Sequence, residues 1–568
     1  MKKIFIGIVI MLSIRMVSTE IFSQPAIEWI ARYNSLLDST DVAVDMKADN
    51  SGNTYVTGYS YTILGLLKAA VTISYDSNGN QRWRSEYNQL LDDETSAIVL
   101  DNTQQYLYVT GSTNGLLGLL PSDFLLIKYR ASDGEQMWAR TYSQSLLGDD
   151  KSIAIVVDSQ NNPVITGISQ GFLLLLTPYD YATVKYDQNG NQLWVSRYNG
   201  PGNGEDKPTD LAVDSQNNII VTGGSTGNNS GEDFATVKYN SSGTEVWVQR
   251  YNGPGNNEDR AYAIVVDNSD NIAVTGSSSG SGSDQDYATL KYNSTGSQLW
   301  VQRYNGPGNN EDRAYAIVVD NSDNIIVSGF SRTGTTAESE NYTTIMYNNS
   351  GIQQWVTHYD GTGFNQDRAY AIVVDNSDNI FVTGSSRSTG AAGSEDYATL
   401  KYSNTGGQLW VTRYNGTGNN EDRAYAIVVD NSDNVYVTGS SRNSSLTGSE
   451  DYLSIKYSAN ELVTLPPGEV RVPSESALFQ NFPNPFNPVT VISYDLAAES
   501  RITLRIYNSL GKEIFSAVND FKTAGSYNYR WDAGNLPSGV YFYRLDAISN
   551  TAGHYKVFSQ TKKLLLIK

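Results

Sequence analysis

Eight tryptophans set the frame for everything else in this chain. Trp29, Trp83, Trp138, Trp194, Trp247, Trp300, Trp355 and Trp410 are separated by 54, 55, 56, 53, 53, 55 and 55 residues. A period that constant outranks any local propensity. The run RYNGPGNNEDRAYAIVVDNSDNI stands unchanged at 250–272 and 303–325, the mark of one duplicated module. Within the unit that opens at Arg260 the chain reads as four short strands, AYAIVVD, IAVTGSS, DYATLKY and QLWVQRY. Each is rich in β-branched or aromatic residues and bounded by Gly, Asn, Asp or Ser. The DNSDN and NSTGS segments between them are hairpin turns. Four antiparallel strands per unit, repeated around a ring, is the pattern of a β-propeller.

Inner strands begin near Val42, Ser96, Ser152, Asp210, Ala261, Ala314, Ala369 and Ala424, which predicts an all-β, eight-bladed propeller over 25–458. The eighth unit ends after its third strand, YLSIKYS (452–458), while AIEWIARYN (26–34) supplies a fourth strand with no unit of its own. The N-terminal strand is therefore expected to close the last blade and remove the exposed edges that invite aggregation.

Units such as AVDSQNNIIVTGGS and DYATVKYDQNGNQLW resemble the bacterial SBBP repeats, named for a seven-bladed propeller, although here the units number eight. The turn and tryptophan TGSQLW (295–300) are similar to the tryptophan-docking turns of quinoprotein dehydrogenase propellers, a likeness confined to that turn.

Pro466, Pro467 and Pro473 break the period, so 459–478 read as a linker. The strands VTVISYDL, RITLRIYN, YNYRW, VYFYRLDA and FSQTKKLLLI then predict a small Ig-like β-sandwich over 479–568. NFPNPFNP (481–488), YNSLGKEI (507–514), WDAGNLPSGVYFYRL (531–545) and TKKLLLIK (561–568) resemble the C-terminal sorting domain of the type IX secretion system. That resemblance implies passage across the outer membrane, the secretion machinery as partner of 479–568, and attachment to the surface of a Gram-negative bacterium or release. Residues 1–24 read as a signal peptide, with Lys2 and Lys3 before the apolar stretch 4–14 and cleavage near Ser23. No other segment is apolar enough to predict a transmembrane span.

Residues 474–568 hold 7 Asp+Glu against 10 Lys+Arg and residues 1–24 hold one acid against three bases, so of the total charge of −20 residues 25–473 alone carry −25. Such a body repels nucleic-acid phosphates and anionic lipid. The absence of Cys excludes disulfides, thiolate metal sites and Cys nucleophiles, and two His leave little for imidazole chemistry. His358 stands three residues after Trp355, where other units have Arg250, Arg303 and Arg413, and so reads as a variant strand position. No nucleophile elbow, phosphate loop or zinc motif is present.

Two groups of residues are site candidates. Twelve residues past each tryptophan stand Asp41, Thr95, Asp150, Asp206, Asp259, Asp312, Asp367 and Asp422. As a carboxylate ring these would suit a hard cation such as Ca²⁺, which takes several oxygen ligands. As structural groups they would cap their own connectors or pair with Lys207, Arg260, Arg313, Arg368 or Arg423, and a blade-by-blade repeat favours that role. No cofactor follows from either reading. The second group is apolar. Connectors entering blades one to three carry Leu36, Leu37, Leu90, Leu91, Leu146 and Leu147, and the loops between strands two and three carry Leu66, Leu67, Leu117, Leu119, Leu174 and Leu175. Later blades have Gly, Asn and Ser there. A contiguous exposed patch of this kind marks a partner site, the alternative being loops packed on one another as a satellite core. The function expected is a surface-attached, non-catalytic module that binds a protein or glycan. The alternatives are a propeller-based polysaccharide-degrading enzyme and a structural surface-layer component.

Overall fold

Every element described in the computed structural model is a strand or a turn. It describes residues 24–461 save for 36–38, 62–66, 89–91, 115–120, 146, 172–177, 335–338, 362–365, 388–394, 417–419 and 443–448, and 476–567 save for 480, 482, 483, 485, 487, 523, 524, 535, 552 and 553. The chain divides into two units, one of Phe22–Leu462 and one containing Val463–Lys568.

In the first unit consecutive strands assemble as four-stranded antiparallel sheets, the blades of a propeller, and eight such sheets are described. The first contains Asp41–Ala48, Thr54–Tyr61, Lys68–Tyr75 and Gln81–Tyr87. The last joins Asp422–Val429, Val435–Arg442 and Glu450–Glu461 to Pro25–Tyr33, with Trp29 opposite Lys456 and Tyr33 opposite Tyr452. The N-terminal strand is thus the outer strand of the last sheet. The first strand of each sheet packs beside the first strand of the next, and that of the last sheet packs beside Asp41–Ala48. One apolar cluster spans this seam, holding Trp29, Met46, Tyr436 and Tyr452 together.

Neighbouring sheets are joined by the tryptophans. The indole N–H of Trp29 donates to the carbonyl of Ser77 in the adjacent sheet at 3.1 Å, and Trp83, Trp138, Trp194, Trp247, Trp300 and Trp355 repeat the bond at 3.0–3.3 Å. Each of these seven rings lies against a glycine of the receiving turn. A Cβ on Gly79 would stand 2.6 Å from Trp29, and one on Gly351 would stand 2.7 Å from Trp300. Both glycines have positive φ (81° and 82°), so the turn and the close approach make the same demand. Trp410 differs, because the outer strand of the last sheet comes from the chain's beginning and brings no such turn. It keeps the ring contacts that Trp29 and Trp83 also make, here with Phe381 and Tyr457.

At the opposite edge of each sheet a β-bulge interrupts the first strand, as between Ala261 and Ala263. The partner there is a glycine in every sheet. A Cβ on Gly276 would lie 2.0 Å from the carbonyl of Arg260. The DNSDN turns link sheets as well: the side chains of Asp270, Asp323 and Asp378, all at φ near 60°, accept backbone N–H groups of Ser215, Asn268 and Asn321 one sheet back. They are turns and inter-sheet latches.

The second unit pairs Ala477–Leu478, Val489–Leu496 and Gly525–Asp532 in one sheet and Glu513–Lys522, Ser500–Asn508, Gly539–Thr551 and His554–Leu566 in another. A single apolar cluster takes Ile492, Tyr494 and Trp531 from the first and Ile502, Leu504, Tyr543, Leu564 and Leu566 from the second. Glu513–Lys522 is an edge strand the sequence pattern missed, since Asn519, Asp520 and Lys522 break its alternation. One sheet of the first unit runs to Glu461, and the first strand described in the second unit begins at Ala477. The NFPNPFNP motif clasps the C-terminal strand: Asn484 Oδ1 accepts the Leu565 N–H at 2.7 Å, and Phe486 exchanges backbone bonds with Leu565 and Ile567.

Two substitutions isolate the indole docking. Gly282 also has positive φ (95°) but nothing within 4 Å of a Cβ, so Gly282→Ala should cost only the left-handed penalty of about 1–2 kcal/mol. Gly351→Ala must in addition displace Trp300, adding about 1–3 kcal/mol of overpacking. Urea unfolding midpoints measure the difference, and equal shifts would show that the docking is energetically idle.

Candidate functional site

The repeated aspartates open the first strands and are sealed from solvent. Asp41, Asp150, Asp206, Asp259, Asp312, Asp367 and Asp422 are each 0% exposed. Each accepts a backbone N–H from the connector six residues upstream: Ser35 for Asp41 at 2.7 Å, Gln144 for Asp150 at 2.9 Å, Gly361 for Asp367 at 2.9 Å, and Gly200, Gly253, Gly306 and Gly416 for the others at 2.6 Å. Asp259 and Asp312 also accept the N–H of Ser279 and Arg332 with the second oxygen, at 2.8 and 3.0 Å. These carboxylates hold connectors onto strands. The basic residues after them turn to glutamates instead: Arg260 to Glu232, Arg368 to Glu340 and Arg423 to Glu395. Among the described residues no group of three or more potential ligands could hold a metal.

Thr95 is not the aspartate's counterpart. It aligns with Gly111 as Ala43 aligns with Gly58, so the residue matching Asp41 is Asp93, two positions earlier and 0% exposed. The connector in this blade is two residues shorter, and a fixed count from Trp83 overshoots. Thr95 Oγ1 donates to the carbonyl of Gly58 at 2.8 Å. Burial raises the carboxyls of Asp150, Asp312 and Asp367 to about 6, the backbone donors pulling the other way without winning.

His358 belongs to a set of linked exchanges. Arg250, Arg303 and Arg413 each reach the hydroxyl of a tyrosine in the preceding sheet and pair with Asp233, Asp286 and Asp396 at 2.8, 2.7 and 2.9 Å. Where His358 replaces the arginine, Asn341 replaces the aspartate, and Thr343 replaces the alanine opposite. The imidazole contacts Thr343 Oγ1 through Nδ1 at 2.9 Å and the Tyr304 hydroxyl through Nε2 at 3.2 Å, and burial lowers its pKa. It keeps the link to the preceding sheet without a charge.

The first strands carry residues that differ between blades, and these went unremarked in the sequence. The bulge residue is Val44, Ser96, Ile153 and Thr209 in the first four sheets but Tyr262, Tyr315, Tyr370 and Tyr425 in the last four. The next residue is alanine in six sheets and aspartate in two, Asp45 and Asp210. Each of these carboxylates accepts an N–H from the following sheet, of Ile98 and Ile264, at 3.0 Å. Lys47, at a position otherwise held by Val or Ala, lies 3.2 Å from Asp45. Enclosure raises Asp210 to about 7. Lys47 and Asp45, three sheets away in the chain, are near enough for their charges to act on it. Aligning the strands on their bulges, rather than on the tryptophans, is the signal that finds these residues.

Of the leucine candidates, Leu67 is part-buried and Leu147 is 46% exposed. Leu36, Leu37, Leu66, Leu90, Leu91, Leu117, Leu119, Leu146, Leu174 and Leu175 lie outside the described residues, as do 1–23.

Residues 480–558 match the secretion system C-terminal sorting domain. Residues 409–446 match the beta-propeller repeat known as SBBP, and 68–279 match the outer membrane protein assembly factor BamB family of propellers. The sorting-domain match supports export by the type IX route. No curated protein matches the chain. Solved structures that match the chain distantly include a fungal alcohol oxidase in complex with copper (13% identity, 83% of this chain and 99% of that one, TM-score 0.36). Others are a protein of unknown function from Dyadobacter fermentans (8%, 75% and 98%, TM-score 0.35) and a eukaryotic initiation factor (9%, 66% and 96%, TM-score 0.31). Likenesses that distant say nothing about activity. No helix among the described residues is long and apolar enough to cross a membrane.

Two measurements test this account. A carboxyl raised above its unfolded value binds more protons in the native state, so its ionisation lowers stability as pH rises through 6. Asp312→Asn should therefore lose less stability than the parent between pH 5 and pH 8 in thermal melts, whereas parallel pH profiles would contradict the burial effect. For the histidine set, His358→Arg alone buries a guanidinium facing Asn341 and should destabilise. Adding Asn341→Asp should recover about 1–3 kcal/mol of coupling in a double-mutant cycle, and strict additivity would refute the linkage.

Proposed function

We propose that this chain is an exported, eight-bladed β-propeller closed by its N-terminal strand, delivered by an Ig-like C-terminal sorting module and held at the cell surface as a non-catalytic binding module. The observation that carries the reading is the sorting-domain match at 480–558, joined to a body of propeller repeats. In this reading 1–24 direct Sec export, 25–461 bind, and the secretion machinery engages the terminal module. The clasp of Asn484 and Phe486 on the last strand supports it, because it ties the motif to His554–Leu566, the strand that carries most of the other resembling segment. A second reading, a polysaccharide-degrading enzyme, is favoured by one feature, the non-repeating set Asp45, Lys47 and Asp210. Against it, both carboxylates already accept two backbone N–H groups.

Expressed in a bacterium with type IX machinery, full-length protein lacking 561–568, or carrying Asn484→Ala, should accumulate in the periplasm while the parent reaches the surface. Fractionation and surface proteolysis give the readout. Normal surface delivery of both variants would defeat the sorting assignment.

A further inference from the structure

Four tyrosines form a continuous arc along the inner strands. Tyr262 and Tyr315 have ring centroids 5.4 Å apart, Tyr315 and Tyr370 6.0 Å, and Tyr370 and Tyr425 6.0 Å, with interplanar angles between 36° and 62°. All four are half-buried, so each ring keeps part of its surface open. The fold does not require them. The same bulge position, which has no register partner on the next strand, accepts Val44, Ser96, Ile153 and Thr209 in the other sheets. What every blade needs appears in every blade, as the buried aspartates do. The arc appears in half of them, and in adjacent ones.

Carboxylates bracket the arc. Asp210 stands in the sheet before Tyr262, and Asp45 stands in the sheet after Tyr425. Each accepts one backbone N–H on each oxygen, Asp45 also accepts from Lys47 Nζ, and a carboxylate oxygen has a second lone pair for a further donor. Two residues before each tyrosine an arginine is paired with glutamate: Arg260 with Glu232, Arg313 with Glu311, Arg368 with Glu340 and Arg423 with Glu395. The wall therefore combines aromatic faces with hydrogen-bonding groups whose charges are already matched. A cationic ligand would find the glutamates already neutralised by arginine, and a polyanion would meet the strongly acidic body. A neutral ligand with apolar C–H faces and many hydroxyls meets neither obstacle.

We propose that the tyrosine arc of the inner strands, bracketed by Asp45 and Asp210, is a binding site for a neutral oligosaccharide. The assignment rests on the reading of this protein as a binding module and names its ligand class. Sugar rings would lie with their C–H faces on Tyr315 and Tyr370, as aromatic faces favour, and hydroxyls would donate to Asp45 and Asp210.

The test uses the purified protein with cellohexaose, xylohexaose, mannohexaose and maltohexaose as probes, and spermine as the cationic comparison, by isothermal titration calorimetry. At least one hexasaccharide should bind, with an affinity that stays flat between about 50 and about 500 mM salt. Tyr370→Ala should weaken it about tenfold, ~1.4 kcal/mol, while Tyr370→Phe, which keeps the ring, should restore it. Thermal melts of both variants separate loss of the ring from loss of the fold. No hexasaccharide binding at millimolar concentration, binding untouched by Tyr370→Ala, or salt-sensitive spermine binding lost in Asp210→Asn would each overturn the site. Retention of a protein ligand alongside the first result would leave the wider binding-module reading standing.

Discussion

The structure depends on an indole placed under a glycine of the next sheet. Seven times the tryptophan of one outer strand donates to a carbonyl in the adjacent sheet and lies where that turn can offer no Cβ. The contact couples a hydrogen bond to close packing, so a sheet cannot rotate or slide relative to its neighbour without losing both. It also makes the period of the sequence a period of the architecture. The glycine, the asparagine- or serine-rich turn and the tryptophan recur together because they are parts of one joint. Because Trp29 precedes every turn it could belong to, its strand must sit in the sheet that abuts the first one.

That logic explains what the sequence disclosed. Strand count, turn positions and the N-terminal strand's destination all follow from spacing, and spacing survives in one dimension. Asp93 was hidden because a count from Trp83 assumes connectors of equal length, and one connector is two residues shorter. The tyrosine arc was hidden for another reason. Tyr262, Tyr315, Tyr370 and Tyr425 recur with the repeat and so look like packing. The bulge that sets them apart shows only when the strands are aligned on the glycine beside it. Asp45 and Asp210 were hidden by charge, since two more aspartates in so acidic a chain attract no notice until six alanines are aligned beside them. Most of the leucine-bearing loops lie outside the described residues, so that candidate rests where the sequence left it.

Sorting residues by whether all blades share them separates scaffold from opportunity. The buried aspartates, the glycines opposite the bulges and the docking turns occur in nearly every blade and make the same backbone contacts there. The inner bulge does not. Its occupants range from Thr209 to Tyr262, because the bulge residue has no register partner on the next strand. His358 shows the intermediate case. A shared position has changed, and its two nearest partners, Asn341 and Thr343, have changed with it so that no charge is left buried alone.

The last sheet ties the two ends of the repeat array together. Pro25 pairs with Glu461, and Arg32 bonds to Asp451 across more than four hundred residues of chain. The final sheet gains its outer strand only when segments from both ends of the repeat array are present together. A truncation at either end therefore opens the same seam, and closing it carries the entropic cost of a very long loop.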